Sequence, residues 1–531
     1  MNWNPSQPIY EQGLRTPERL ALSADDVELS YADLTRRAAR LAATLREQGI
    51  GRGSRVGILG SRSLISIEAV LGVTWCGAAY VPLGLRWPEG RIKAALELTG
   101  LDAMIADNSG VALLTSAVLS AANVLVLPTR EAMRMVQDAA ERVVLNLESL
   151  PELGEVFEPA VMSADDLVYV IFTSGTTGVP KGVMAASDSV AAYVAALGQR
   201  KGMTPEDRAS QFTELSFDPS VGEIFLPLTV GASLHVVPSV NHVSPARFIR
   251  ERRLTVWGST PAAIAWMRDT RSLQPGSFPD LRYSSFGGEP LPLASFRAWQ
   301  AAAPNSVIDN LYGPTEATVD CAGQRVEPGA TPVVSPGRDV LAIGTPHPGS
   351  ELAVFGPDRR KLAAGEVGEL GIAGKQLTRG YLGAPGMTAE RFPSLDGKRW
   401  YLTGDLAMQD ESGQFHHLGR MDNQIKIHGY RVELEDIEAH LRAVAGTDQV
   451  AAVAWPIEDG VARTIIGFVA RNDVPVKSIR EALRSRLPPY MVPAAVHELT
   501  ALPVNATGKL DRQALIAWLE AGTARGDAII G

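Results

Sequence analysis

One ten-residue run has residue types and spacing suited to chemistry: Thr173-Ser174-Gly175-Thr176-Thr177-Gly178-Val179-Pro180-Lys181-Gly182. Small residues let backbone N–H groups approach an anion, hydroxyls add donors, and Lys181 adds a positive charge. This is not the phosphate loop of common ATPases, because Pro180 stands five places after Gly175, where that pattern needs glycine. On composition alone a Ser/Thr/Gly surface turn fits as well. Other polar residues, taken singly, also have plain structural readings. Tyr312 after a turn suits packing, Glu316 after Pro314-Thr315 suits a helix start, and Asp405 after Gly404 suits a turn. Arg420 at a strand end and Lys509 in a Gly-Lys turn suit solvated faces.

Regular elements must position that run. Leu167–Phe172 is an unbroken apolar stretch, as expected of a strand buried on both faces, and it leads straight into Thr173. Upstream, Ser30 and Asp33 form a capping box, and Leu34, Ala38, Leu41 and Leu45 recur at helical spacing until Gly49. A strand Arg55–Leu59, a helix to Trp75 and a strand around Tyr80–Val81 follow. This alternation predicts an α/β fold, with a large N-terminal domain of layered α/β subdomains and mainly parallel sheets. Beyond Asp422 a helix carries Ile437, Leu441 and Val444, with strands near Val450–Trp455 and Thr464–Val469. A helix near Ile479–Leu487 and a terminal helix from Asp511 complete a small mobile α+β C-terminal domain. The expected division is 1–421 and 422–531, the second of about 110 residues.

Composition narrows the class. A length of 531 residues suits about three or four units of roughly 150 residues. Hydrophobic content of 45% with 21% charged residues excludes a disordered or fibrous chain. With 50 basic against 59 acidic side chains the net charge is −9, which argues against nucleic acid as a partner. Cys76 and Cys321 make neither a disulfide framework nor a metal-site spacing, so a reducing, cytoplasmic setting is expected. The N-terminus has no basic-then-apolar signal pattern. Residues 108–129 are uncharged and long enough to span a bilayer. Thr115, Ser116, Ser120, Asn123 and Pro128 break the stretch, so a buried helix followed by a strand Val124–Leu127 is expected, and no membrane association.

The ten-residue run resembles the signature of the adenylate-forming superfamily: acyl-CoA synthetases, luciferases and the adenylation domains of non-ribosomal peptide synthetases. Further segments follow in the family's order. They are Leu29-Ser30-Tyr31-Ala32-Asp33-Leu34, Gly77-Ala78-Ala79-Tyr80-Val81-Pro82, Asn310-Leu311-Tyr312-Gly313-Pro314-Thr315-Glu316 and Gly365-Glu366-Val367-Gly368-Glu369-Leu370 with Arg379-Gly380-Tyr381. Next come Tyr401-Leu402-Thr403-Gly404-Asp405-Leu406, Gly419-Arg420-Met421-Asp422-Asn423-Gln424-Ile425-Lys426-Ile427 and Asn505-Ala506-Thr507-Gly508-Lys509-Leu510-Asp511-Arg512. Leu487-Pro488-Pro489-Tyr490-Met491-Val492-Pro493 points further to the peptide-synthetase branch. Ser187, where many relatives have His, and His428, where Arg is usual, depart from the pattern. His416-His417 with Asp422 is one residue too long for the His-His-x-x-x-Asp spacing of condensation enzymes, so acyl transfer by histidine is set aside.

The resemblance implies ATP and Mg2+ as cofactors. Thr173, Ser174, Gly175, Thr176, Thr177, Gly178, Lys181, Gly288, Asn310, Tyr312, Gly313, Asp405 and Arg420 would bind nucleotide. Tyr312 would stack on adenine, while Asp405 and Arg420 would hold the ribose. Thr315 would touch the α-phosphate, Glu316 would contact the metal, and Lys509 would lie between carboxylate and phosphoryl oxygens. Asp422 would be a hinge. Phe217, Asp218, Pro219, Gly222, Gly258, Ser285, Gly287, Leu311, Val319 and Asp320 would form the substrate pocket, with Asp218 on an α-ammonium group and Gly222 opening space. Asp320 at the side-chain end implies a polar or basic amino acid.

The implied function is activation of an α-amino acid by a free-standing enzyme. The aminoacyl group would then pass to the phosphopantetheine arm of a separate peptidyl carrier protein, with a small activator protein as a further potential partner. Two alternatives are an aryl- or fatty-acid CoA ligase, against which Asp218 argues, and a non-catalytic nucleotide-binding regulator, against which the intact motifs argue.

Overall fold

Ser30 Oγ accepts from Asp33 N at 3.1 Å while the Asp33 carboxylate accepts from Ser30 Oγ at 2.7 Å, so helix Tyr31–Glu47 begins at the expected capping box. Its stripe of Leu34, Ala38, Leu41 and Leu45 is fully buried in a core shared with helix Leu64–Trp75. The chain leaves the helix through Gly49 at φ +78°. The computed structural model describes residues 3–24, 26–136, 142–175, 180–238, 244–427, 429–458, 461–470, 474–504 and 510–524.

Two mainly parallel sheets build the large domain. The seven-stranded sheet runs in the order Val143–Asn146, Val124–Leu127, Ala103–Ala106, Arg55–Leu59, Ala79–Leu83, Leu167–Thr173, Lys181–Ala186. Only its last pair is antiparallel, and that pair encloses the glycine-rich run. The nine-stranded sheet has a parallel centre, Tyr283–Phe286 between Val256–Ser259 and Val307–Tyr312, with antiparallel strands at both edges. A third sheet was not anticipated. Ser350–Phe355, Val367–Gly374, Lys398–Gln409 and Phe415–Arg420 pair antiparallel, with Ser394–Leu395 alongside.

The uncharged stretch 108–129 folds as a 3-10 turn Gly110–Leu113, a short helix Ser116–Leu119 and the buried strand Val124–Leu127. Among the described residues no helix is long and apolar enough to cross a membrane. The small C-terminal domain opens with the hairpin Gln424–Ile427/Tyr430–Glu433. Helices Leu434–Ala445 and Val476–Arg484 then pack with the three-stranded sheet Val450–Ala454, Ile465–Ala470, Ala495–Leu499, and helix Arg512–Ala524 follows.

A buried ion pair fixes helix Ser187–Lys201 to the nine-stranded sheet. Arg200 Nη2 donates to Asp309 Oδ1 at 2.7 Å, Arg200 Nε and Tyr283 OH both donate to Oδ2, and the Asp309 side chain is fully buried. Removing one partner of such a pair strands the other charge. Arg200→Met should therefore cost about 3–5 kcal/mol in denaturant unfolding. Unchanged stability of this variant would contradict that role.

Candidate active site

A cavity of about 520 Å³ opens at the C-terminal ends of the parallel strands Val256–Ser259, Tyr283–Phe286 and Val307–Tyr312. Open α/β sheets bind ligands at this edge. Thr173 and Ser174 come to it from the end of strand Leu167–Thr173, and Asp405 and Arg420 from the antiparallel sheet. Tyr312, Gly313 and Thr315 follow strand Val307–Tyr312 into the wall, and Gly288 lies at the same mouth. The same cavity is lined by Phe217, Asp218, Pro219, Gly222, Gly258, Ser285, Gly287, Leu311, Val319 and Asp320. The structure thus brings together every expected pocket residue. Thr176, Thr177, Gly178, Lys509 and His428 lie outside the described residues.

Five differences qualify the expected nucleotide and hinge sites, the first being Gly175, which is buried and not on the cavity wall. Asn310 is not on the wall, because its side-chain amide donates to the Ala342 carbonyl at 2.8 Å. Glu316 sits behind Thr315, fully buried, accepting from Tyr381 OH at 2.7 Å and from Arg431 Nη1 at 2.8 Å. Burial pushes its carboxyl up, but Arg431 and Tyr381 outweigh this and hold it below the usual range. Arg420 is largely committed: it donates to Asp405 Oδ1 at 2.8 Å, to the Thr403 carbonyl at 2.9 Å and, through Nε, to Asp422 at 2.8 Å. Lys181 is also off the wall, its Nζ 3.6 Å from Glu433 Oε1.

Asp405 accepts from Tyr312 OH, His417 Nε2 and Arg420 Nη1. Burial would raise its pKa, but His417, Arg420 and Lys426 hold it well below the carboxylate range, so it is a fixed anion. Ser187 lies away from this chemistry, its hydroxyl donating to the Trp3 carbonyl. His416 pairs with Asp410 at 3.0 Å.

The substrate end holds more charge than anticipated. Asp218 immediately precedes helix Pro219–Val230, and its Oδ2 is buried without a hydrogen-bond partner among the described residues. Burial raises its pKa to about 7, against the Thr315 hydroxyl, with Glu316 adding to the rise and Arg431 opposing it. Burial likewise raises Asp320 and Glu223 to about 7, and lowers Lys201 against the pull of Asp320, Glu223 and Asp309. Thr318 and Val319 both take left-handed conformations, φ +55° and +75°, which turn Asp320 into the wall. Gln376 Nε2 braces that turn by donating to the Asp320 carbonyl at 2.7 Å. A Cβ on Gly313 would come within 2.3 Å of the Val319 carbonyl oxygen, so only glycine fits there.

Gly222 does not open the pocket as expected. A Cβ there would stand 2.3 Å from Tyr193 OH and 3.0 Å from Leu197, so the neighbouring helix already fills that space. Sequence reasoning missed Tyr193, Lys201, Glu223 and Arg431. Two of these had a readable signal. Tyr193, Leu197 and Lys201 recur every four residues, putting a lysine on the helix face that meets the cavity. Glu223 is the single charged residue of helix Pro219–Val230.

The hairpin of the small domain closes this site. Ser174 Oγ donates to the Arg431 carbonyl at 3.0 Å and lies 3.2 Å from Glu433 N, while Gly429 N donates to Glu289. Tyr430 stacks on Tyr490 at 3.7 Å and meets Phe217 edge-on at 4.9 Å.

A model of the AMP-binding enzyme family matches residues 9–382, and a model of the AMP-binding enzyme C-terminal domain matches residues 436–509. Tyrocidine synthase 3 of Brevibacillus parabrevis is 34% identical over 519 residues, covering 96% of this chain and 8% of that protein. Delta-poly-L-ornithine synthetase of Acinetobacter baumannii (strain AB307-0294) is 33% identical over 515 residues, covering 94% and 36%. The chain therefore spans a minor part of these curated relatives. The Vibrio cholerae adenylation domain AlmE, solved in complex with glycyl-adenosine-5'-phosphate, superposes with a TM-score of 0.86 at 29% identity, covering 98% of both chains. Matched in sequence and in fold over nearly its whole length, the chain belongs to the AMP-binding enzyme family.

Proposed function

We propose that the chain activates an α-amino acid as aminoacyl-AMP and passes the aminoacyl group to the phosphopantetheine thiol of a separate carrier protein. The observation that carries the amino-acid reading is Asp218, a carboxylate with a buried, unpartnered oxygen in the cavity wall. An α-ammonium group would supply its missing charge. An aryl or fatty acid would leave it unpaired, which weighs against the CoA-ligase alternative.

In the first half-reaction the substrate carboxylate attacks the α-phosphorus of ATP. A new carboxyl oxygen–phosphorus bond forms and the bond to the pyrophosphate oxygen breaks. Asp405 would accept from the ribose hydroxyls, Tyr312 would cover adenine, and Thr315 would donate to the α-phosphate. Thr173–Lys181 would cradle the outer phosphates. A single carboxylate suits Mg2+, which keeps most of its waters and takes phosphate oxygens, once Arg431 withdraws from Glu316. Glu316 would hold the ion, and its charge would offset that of the phosphates. Lys509 would stand between the two approaching anions, where one positive charge lowers the barrier most.

The second half-reaction needs a different nucleophile at the same carbonyl carbon. The thiolate attacks, the acyl–phosphate bond breaks and AMP leaves. We assign the division 1–421 and 422–531, with Asp422 as the hinge that exchanges Lys509 for the hairpin. The contacts of Ser174, Lys181 and Glu316 with the hairpin support this reading, since the groups meant for pyrophosphate and metal are engaged by residues 431–433. None of the described residues flanking 505–509 lines the cavity.

Two expectations test these assignments. Amino-acid-dependent ATP–pyrophosphate exchange should fall on the order of a hundredfold or more in Lys509→Ala. In Asp422→Pro, whose backbone φ is fixed, carrier loading should fall more than exchange. Near-normal exchange in the first variant, or equal losses in the second, would refute the respective role. Asp218 also sets a pH dependence. Its raised pKa leaves it neutral below about 7, so kcat/KM for the amino acid should climb as pH rises through 7. A flat profile between pH 5.5 and 8 would contradict the pairing.

A further inference from the structure

We propose that the amino acid selected by this site carries a cationic side chain, held between Glu223 and Asp320. This rests on the amino-acid-activating reading above. The starting point is a count of charges at the side-chain end of the cavity. Glu223, Asp320 and Lys201 all line it. Of the other cations nearby, Arg200 is consumed by its bidentate pair with Asp309, and Arg62, which also lines the cavity and feels the Glu223 charge, donates to the Phe212 and Pro238 carbonyls. His347, whose Nδ1 is 3.3 Å from Asp320 Oδ1, is pushed down to about 4 mainly by burial and is neutral at physiological pH. Two carboxylates thus face one ammonium group, with the Arg62 guanidinium hydrogen-bonded to carbonyls rather than to either carboxylate.

Each of the three has bonding capacity left. Asp320 Oδ2 accepts from Tyr193 OH at 3.1 Å, but Oδ1 is buried with no hydrogen-bond partner among the described residues. Glu223 Oε2 accepts from the backbone N–H groups of Phe212 and Thr213, each at 2.9 Å, which anchors the carboxylate. Its Oε1 accepts from Thr213 Oγ1 at 2.9 Å and faces the space left by Gly258, 3.5 Å from where a Cβ would lie. Ser285 Oγ is 3.4 Å from that same point and 3.3 Å from Lys201 Nζ. Any side chain at residue 258 would cover Glu223, whereas glycine leaves it open to the substrate.

The three kinds of substrate differ sharply in the charge they would leave behind. An anionic side chain would bring a third negative charge beside one lysine. A neutral one would leave a carboxylate uncompensated, or force it to take up a proton. An ammonium or guanidinium group closes the count: Lys201 offsets one carboxylate, the substrate offsets the other, and Asp218 keeps the α-ammonium. Desolvated charges without partners are costly, and charge-assisted hydrogen bonds are roughly twice as strong as neutral ones. Tyr193 and Leu197, occupying the space beside Gly222, narrow the route and leave Asp320 and the Gly258 opening as polar destinations.

The test is ATP–pyrophosphate exchange by the full chain at pH 8 with ornithine, lysine and arginine against norvaline, glutamine, citrulline and glutamate. At least one cationic amino acid should exceed its neutral isostere by tenfold or more in kcat/KM, and the choice between amine and guanidinium emerges from the same panel. Asp320→Asn should cut that ratio at least severalfold. Glu223→Gln should do the same, and if it disturbs the loop it anchors, Asp320→Asn still decides. Preference for a neutral or acidic amino acid overturns the cationic assignment and leaves amino-acid activation standing. Exchange with no amino acid at all overturns both.

Discussion

Buried negative charge in the cavity is the constraint from which the remaining features of the site follow. Asp218, Glu223 and Asp320 all line the cavity at the C-terminal ends of the parallel strands, and burial raises all three toward neutrality. Such an arrangement is tolerable only while something positive or protic enters. Lys201 and the Tyr193 hydroxyl supply part of the compensation from one helix, and that helix is itself pinned by Arg200 on Asp309. The ion pair is structural, but it also sets where the cavity's internal cation stands.

At the nucleotide end the same economy holds with opposite sign. Asp405 is kept ionised by Arg420, His417 and Lys426, so it can receive hydroxyl donors without changing its own charge. Arg420 meanwhile donates to Asp422, which links the nucleotide wall to the point where the chain enters the small domain. Arg431 places a guanidinium on Glu316, and the hairpin backbone engages Ser174. A cation from the protein and one from solution would compete for that carboxylate, which makes occupancy of the phosphate site and closure of the hairpin mutually dependent.

Much of this was legible from residue types in order along the chain. The unbroken run Leu167–Phe172, the capping box at Ser30 and the periodic helix after it gave strands and helices their places. Of the motif residues, Thr173, Ser174, Tyr312, Gly313, Thr315 and Asp405 were named in advance and do line the cavity. What escaped was set by three-dimensional proximity. Tyr193 fills the space beside Gly222 although 29 positions separate them in sequence. Glu223 matters because residue 258, on a strand outside its helix, has no side chain. Asn310 is held off the wall by its hydrogen bond to the Ala342 carbonyl. The contact of Arg431 with Glu316 depends on how two domains meet, which no local pattern encodes.

The most direct test of the claim that the cavity waits for positive charge is a count of protons. Binding of an ornithyl sulfamoyl-adenosine, measured by calorimetry at pH 7 in buffers of different ionisation enthalpy, reports protons released as carboxylates ionise against the ligand. The account predicts clear net release for the ornithyl compound and distinctly less for its norvalyl counterpart. Equal release for the two, or uptake by the ornithyl compound, would contradict it.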